Sequence, residues 1–427
     1  MEKIIINGGE PLCGDIEVSG MKNAVVAEIF ACLLVDEAVT LENAPDILDV
    51  RVALEILESM GVKVRRVSRT TVIIDAKNAN GGGAPNALTA KMRASYYLLG
   101  AELGRFGYAR VGMPGGCNFG TRPIDQHVKA FQSMGVTVNE NEDYVEAVAN
   151  RGLKGANIFF DVVTVGGTMN AMIAAVLAKG STVIENAARE PHIVDLANFL
   201  NTCGANIRGA GTDTIKIQGV EKLHGCTYAI SPDMIEAGTY MIAAAATGGK
   251  LRITNVIPKH LESITAKLEE MGVEVTEEDD AVVVTSHEKL THINVKTQPY
   301  PGFPTDMQPQ MCVLLCLAEG ISKLNEGVWE NRYRYTEELK RMGADITVNG
   351  RTATVNGGKP LRPARVRAVD LRAGAAMVIA ALAIKGQSEI EDIRYIERGY
   401  DDIVGKLAAC GAKIKKVIVA EEILLDN

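Results

Sequence analysis

The stretch of this chain best equipped for chemistry is Pro114-Gly115-Gly116-Cys117-Asn118-Phe119-Gly120-Thr121-Arg122-Pro123. Three glycines within six residues give a loop whose backbone moves easily and comes close to a ligand. A thiol stands at its centre, with a guanidinium five residues further on. A nearby cation favours thiolate, and arginine grips phosphate or carboxylate in a two-pronged fork. A loop carrying Cys117 and Arg122 therefore suits chemistry on an anionic substrate. A glycine turn around a buried, inert thiol fits the same ten residues. The cations elsewhere have to decide between the two.

Lys22, Arg93 and Arg372 each stand where an apolar, helix-like stretch begins. Their contexts are Gly20-Met21-Lys22-Asn23, Lys91-Met92-Arg93-Ala94-Ser95 and Val369-Asp370-Leu371-Arg372. Three similar entrances read Thr164-Val165-Gly166-Gly167-Thr168, Pro232-Asp233-Met234-Ile235-Glu236 and Pro304-Thr305-Asp306-Met307. Helix N-termini offer free N–H groups and partial positive charge, which suits bound anions. Asp, Asn and Thr at such places are ordinary helix caps, and for Asp233 and Glu236 cap and binding role stay equally open. Cations are not explained that way, because positive charge is unfavourable at a helix start. Loops after later strands add Arg332, in Glu330-Asn331-Arg332, and Arg398, in Glu397-Arg398-Gly399. Trp329, Tyr96 and Tyr97 read as packing residues.

What must position these groups is a repeated unit. A helix ending in an apolar residue and glycine, followed by a short strand, occurs six times. Its glycines are Gly61, Gly135, Gly204, Gly272, Gly343 and Gly411, at spacings of 68 to 74 residues. Such regularity marks an internal repeat, and each glycine suits the left-handed position that ends a helix. Upstream of these phrases lie helices without a polar face, such as Ala24–Leu34, Met169–Ala178 and Gly374–Ile384. A helix apolar all round is buried all round. The unit reads strand, buried helix, strand, amphipathic helix, strand, strand. The expected fold is α/β, in two inside-out α/β barrel domains of three βαβαββ repeats each, helices at the centre and sheet outside.

Composition excludes several functions. The chain has 427 residues, 47% hydrophobic and 23% charged, which argues for folded domains and against disorder. The net charge of −8, without a basic stripe, argues against nucleic acid. Met1–Gly9 lacks the apolar core of a signal peptide, and the longest apolar run, Ala373–Ile384, is too short for a bilayer. No membrane insertion is expected. Eight cysteines are scattered without a CxxC pair, which reads as reduced thiols in a cytoplasm. No His/Cys cluster has metal-ligand spacing, so no metal and no cofactor is expected.

Lys22-Asn23, Met92-Arg93-Ala94-Ser95, Pro114-Gly115-Gly116-Cys117, Gly120-Thr121-Arg122-Pro123, Glu185-Asn186-Ala187-Ala188-Arg189-Glu190-Pro191, Phe303-Pro304-Thr305-Asp306-Met307-Gln308, Glu330-Asn331-Arg332 and Asp370-Leu371-Arg372 together resemble the enolpyruvyl transferase family. The likeness runs over essentially the whole chain. It implies the same two-domain fold, with residues 22–230 forming the domain that carries the thiol loop. Residues 1–21 with 231–427 would form the other, the active site lying between them. The branch acting on a shikimate phosphate has no such thiol loop, so Cys117 points to the UDP-sugar branch.

The resemblance implies transfer of the enolpyruvyl group of phosphoenolpyruvate to the 3-hydroxyl of UDP-N-acetylglucosamine, with release of phosphate, at the first committed step of peptidoglycan synthesis. Lys22, Arg93, Arg122, Arg332, Arg372 and Arg398 would face the phosphate and carboxylate, Lys22 and Arg398 taking part in catalysis. Cys117 is implied as the acid protonating C3 and as the site of a phospholactoyl adduct, and Asp306 as the base taking the hydroxyl proton. Asn23, Pro123, Ile124, Asp125, Thr164, Val165, Gly166, Val328 and Asp370 complete the implied substrate contacts. Three positions depart from the family pattern: Met234, Arg334 and Val162. They keep open a paralogue acting on a different nucleotide-linked sugar, and a non-catalytic copy that only binds UDP-sugars.

Overall fold

A computed structural model of the chain describes residues 2–113, 124–286 and 289–418. These residues divide into two compact units, Gly20–Ser231 and the remainder, which runs to Ser19 and resumes at Pro232.

In the unit Gly20–Ser231, helices Lys22–Ala31, Tyr97–Phe106 and Val165–Ala175 form the interior. Every residue from Ala24 to Ala31 and from Gly167 to Ala175 is buried. Small residues let these helices approach closely: a Cβ on Gly100 would lie 2.6 Å from the Asn170 carbonyl oxygen. Amphipathic helices Leu48–Ser59, Asp125–Ser133 and Pro191–Thr202 pair with the three repeats. Two four-stranded sheets and one three-stranded sheet complete the unit among the described residues. Their strands bury alternate residues, as in Thr214–Gln218, so one face of each sheet meets the core.

The second unit repeats this plan with buried helices Met234–Thr247, Gln308–Leu317 and Leu371–Ala383 and three four-stranded sheets. All six repeat glycines have φ between 85° and 98°, the left-handed conformation expected where each amphipathic helix ends.

One feature is not given by the linear order of the repeats. Cys13–Glu17 runs parallel to Lys250–Thr254, and Thr227–Ala229 runs parallel to Val39–Glu42. The unit Gly20–Ser231 therefore takes the strand beside its first repeat from its own C-terminal end, and the second unit takes the equivalent strand from the N-terminal segment of the chain. These junctions are tight. A Cβ on Gly20 would lie 1.8 Å from the Asn43 carbonyl oxygen, a backbone atom that cannot swing away. Gly20→Ala is expected to cost about 1–3 kcal/mol of stability and to lower the melting temperature by several degrees, read by thermal denaturation.

A second recurrence follows the central strand of the repeats. Asn43, Asn186, Asn255 and Asp392 come directly after it, all with φ between 53° and 58°. Short polar side chains tolerate that conformation. The three asparagines donate Nδ2 to the carbonyls of Ile230, Phe160 and Val18 at 2.6 to 2.8 Å, latching the parallel neighbour strand. In the fifth repeat the same position is Glu326.

Candidate active site

In the unit Gly20–Ser231, Lys22 opens the first buried helix, where the helix field disfavours a cation. Asp49, in the first turn of helix Leu48–Ser59, offsets this with a buried carboxylate 3.1 Å from Lys22 Nζ. Asn23 is the next residue of the helix and half-buried. Arg93 opens the short turn Arg93–Tyr96 and lies 5.8 Å over the Tyr96 ring.

Thr164 caps helix Val165–Ala175 by accepting the Gly167 N–H, so Val165 and Gly166 form the first turn of that N-terminus. Gly166 has no room for a side chain, because a Cβ would stand 2.9 Å from His127 Nε2. His127 is buried beneath this turn. The Asn170 amide accepts the Gly100 N–H and donates to the Tyr96 carbonyl, which orients its Nδ2 towards His127 Nδ1 at 3.0 Å. The ring nitrogen must accept there, which assigns the ring proton to Nε2. Burial pushes the imidazole down to about 4, with Arg93 adding to that effect and Asp125 opposing it. It is therefore neutral at physiological pH. Ile124 is buried just ahead of helix Asp125–Ser133, whose exposed first residue accepts from Gln126 Nε2 at 2.8 Å. Cys117, Arg122 and Pro123 lie outside the described residues.

In the second unit, Asp306 sits in the turn Thr305–Met307, ahead of helix Gln308–Leu317. Its Oδ1 accepts from Arg332 Nη2 at 2.8 Å, and its Oδ2 from Arg372 Nη2 and Nε at 3.1 and 3.3 Å. A helix cap needs no such pair of guanidiniums. Both arginine side chains are almost wholly buried, while Asp306 keeps 28% of its side-chain surface exposed. Asp370 caps helix Leu371–Ala383, accepting from the Arg372 and Ala373 N–H groups at 2.8 and 2.9 Å. Burial raises the Asp370 carboxyl, against the pull of the Ala373 N–H and Arg332. Arg372 lies 5.6 Å over the Tyr400 ring. Burial works against its charge, but Asp306, Tyr400 and Asp233 more than offset this and leave its pKa above the ordinary value. Arg398 ends the turn Ile393–Arg398 and is buried. The Val328 N–H donates to Glu326 at 2.9 Å.

Of the three departing positions, Met234 is buried at the start of helix Met234–Thr247, while Val162 and Arg334 are exposed. Asp49, His127 and Glu326 are partners that motif reading did not single out. None of the three lies within one of the quoted motifs. Among the described residues no His, Cys, Asp or Glu group could hold a metal ion, and no helix is long and apolar enough to cross a membrane.

The geometry thus supplies a carboxylate held between two forked cations, and, in the other unit, a lysine and an arginine at helix entrances. Such groups suit binding of a phosphate and a carboxylate and removal of a hydroxyl proton. Residues 6–407 match the profile of EPSP synthase (3-phosphoshikimate 1-carboxyvinyltransferase). The chain is 55% identical to UDP-N-acetylglucosamine 1-carboxyvinyltransferase 2 of Clostridium acetobutylicum, over 97% of this chain and 99% of that protein. It is 50% identical to the protein of the same name from Listeria monocytogenes, over 98% of this chain and 99% of that one. Among solved structures, the enolpyruvyl transferase NikO from Streptomyces tendae superposes with a TM-score of 0.88 at 28% identity, covering 98% of this chain and 99% of NikO. EPSP synthase from Acinetobacter baumannii shares the fold at a TM-score of 0.74 and 19% identity, covering 98% of this chain and all of that one.

Proposed function

Since the chain belongs to the EPSP synthase family, we propose that it is an enolpyruvyl transferase that moves the enolpyruvyl group of phosphoenolpyruvate to the 3-hydroxyl of UDP-N-acetylglucosamine, releasing phosphate. The observation that carries this reading is the identity of about half over whole chains with proteins named for that activity. The reaction opens peptidoglycan synthesis and would place the protein in the cytoplasm, where its two substrates are made.

Each step has a candidate residue. Lys22, Arg93 and Arg122 from one unit, with Arg332, Arg372 and Arg398 from the other, supply the cations for the substrate's phosphate and carboxylate. Cys117 delivers a proton to C3, which leaves C2 electrophilic. The sugar oxygen bonds to C2 as Asp306 takes the hydroxyl proton. Loss of phosphate from C2 and of a proton from C3 restores the double bond. Asn23, Pro123, Ile124, Asp125, Thr164, Val165, Gly166, Val328 and Asp370 hold the sugar nucleotide, the N–H groups of Val165 and Gly166 at the helix start suiting its diphosphate. Neutral His127 beneath that turn adds no charge of its own.

The experiment is phosphate release from phosphoenolpyruvate with a panel of acceptors. Release with UDP-N-acetylglucosamine is expected. Release only with another UDP-sugar would make the protein a paralogue, and binding without release a non-catalytic copy.

A further inference from the structure

Glu326 is a buried carboxylate, 1% exposed, that the motifs do not assign to any role. At the equivalent position three other repeats carry an asparagine that latches the neighbouring strand. The equivalence is one of register. The residue ending the parallel strand donates its N–H to the residue before this position in each case: Ile230 to Glu42, Phe160 to Glu185, Val18 to Thr254 and Thr297 to Asn325. Glu326, unlike Asn43, Asn186, Asn255 and Asp392, does not adopt the left-handed conformation. Its longer side chain reaches past the strand into the next turn.

Four donors converge on it. Oε1 accepts from Thr297 Oγ1 at 2.7 Å, from the Val328 and Trp329 N–H groups at 2.9 and 3.0 Å, and from Thr305 Oγ1 at 3.0 Å. Oε2 accepts from Thr305 Oγ1 at 3.0 Å. Thr305 Oγ1 in turn accepts from Arg332 Nη1 at 2.8 Å. A guanidinium only donates, so the threonine oxygen must accept there and its single proton must point at the carboxylate. Arg332 Nη2 is then left facing Asp306 Oδ1.

We propose that Glu326 is a positioning residue for the transfer reaction, acting through Thr305 to fix the polarity of a relay that orients the Arg332 fork and the Asp306 carboxylate. The inference rests on the functional reading above. A glutamate suits this place because both oxygens lie 3.0 Å from Thr305 Oγ1 and both accept, so the Thr305 proton meets a charged acceptor on the side away from Arg332. An amide would replace the Oε2 acceptor by an N–H, leaving the Thr305 proton only Oε1, which Thr297, Val328 and Trp329 already share, and would remove the negative charge from the relay. The sequence hides this role, since Glu326 lies in none of the motifs and 20 residues from Asp306.

The test uses the full chain, three single variants and the double variant Glu326→Gln/Thr305→Val. Glu326→Gln keeps shape but removes the charge and one of the two acceptors facing Thr305, Thr305→Val removes the relay, and Thr305→Ser preserves it. Steady-state phosphate release is measured with each substrate varied, beside melting temperature. Glu326→Gln and Thr305→Val are each expected to lower kcat/KM for phosphoenolpyruvate about 10- to 100-fold, the range for losing one charge-assisted hydrogen bond in a buried network. KM for UDP-N-acetylglucosamine should stay within about threefold, because the relay serves the anion site. Thr305→Ser should restore kcat/KM, and the double variant should cost no more than the worse single one. A purely structural role would lower melting temperature and active fraction in all three variants while leaving KM for phosphoenolpyruvate unchanged. That outcome, or additive losses, overturns the relay. If Glu326→Gln does not fold, the contrast between Thr305→Val and Thr305→Ser decides alone. A wild type that releases no phosphate overturns the functional reading, and an active wild type with unaffected variants overturns the relay only.

Discussion

Asp306→Asn should lower turnover by roughly two to four orders of magnitude, because an amide cannot take the hydroxyl proton. The structure adds a second effect that motif reading alone would not expect. As a mere cap, Asp306 would tolerate Asn without loss of stability. Here its carboxylate is the anion shared by Arg332 and Arg372. Asparagine leaves two buried guanidiniums with less negative charge and turns an N–H towards one of them. A stability loss of about 1–3 kcal/mol is expected, below the range for a fully buried ion pair because Asp306 is partly exposed. Inorganic phosphate, which suits the same forks, should raise the melting temperature of the variant more than that of the wild type. Melting temperature and initial rate on one preparation check both effects. A variant that melts earlier but keeps its rate would leave Asp306 as a counter-ion and send the search for the base elsewhere.

Cys117→Ala should abolish turnover and the covalent adduct while binding of the UDP-sugar persists. The adduct forms as the thiol sulfur bonds to C2 of phosphoenolpyruvate and a proton is added at C3. Intact-mass spectra should gain the mass of one phosphoenolpyruvate on the wild type only. Fosfomycin, an electrophilic epoxide, should alkylate Cys117 alone. The other thiols provide the contrast. Cys32, Cys203, Cys312, Cys316 and Cys410 are buried, and burial pushes the Cys32 and Cys410 thiols up. Cys13 is exposed and Cys226 half-buried with its sulfur 3.4 Å from Cys203, so these two are the accessible controls. Adduct on either would contradict the assignment.

The fold was legible because its units repeat. Six glycines at near-constant spacing, each ending an amphipathic helix, and helices with no polar face mark the unit in the sequence itself. The parallel strands brought from distant parts of the chain were not legible, since pairing between Thr227–Ala229 and Val39–Glu42 leaves no mark on local periodicity. At the site, charge at helix entrances exposed Lys22, Arg93 and Arg372, because a cation there contradicts the helix field. Their counter-charges stayed hidden. Asp49 reads as an ordinary first-turn acid, and Glu326 as a strand-end residue, until the chain folds them against a lysine and a threonine. His127 was hidden for the opposite reason: its burial keeps it neutral, and a neutral histidine on a helix has no charge pattern to betray it.

The central claim is transfer of an enolpyruvyl group to a sugar oxygen, and the most direct measurement follows the carbon. Phosphoenolpyruvate labelled with carbon-13 at C2 is incubated with the protein and UDP-N-acetylglucosamine, and carbon and phosphorus NMR spectra are recorded together. One phosphate should be released for each labelled carbon found as an enol ether on the 3-oxygen of the sugar. Label recovered as free pyruvate, or remaining in phosphoenolpyruvate while the UDP-sugar is bound, would contradict it.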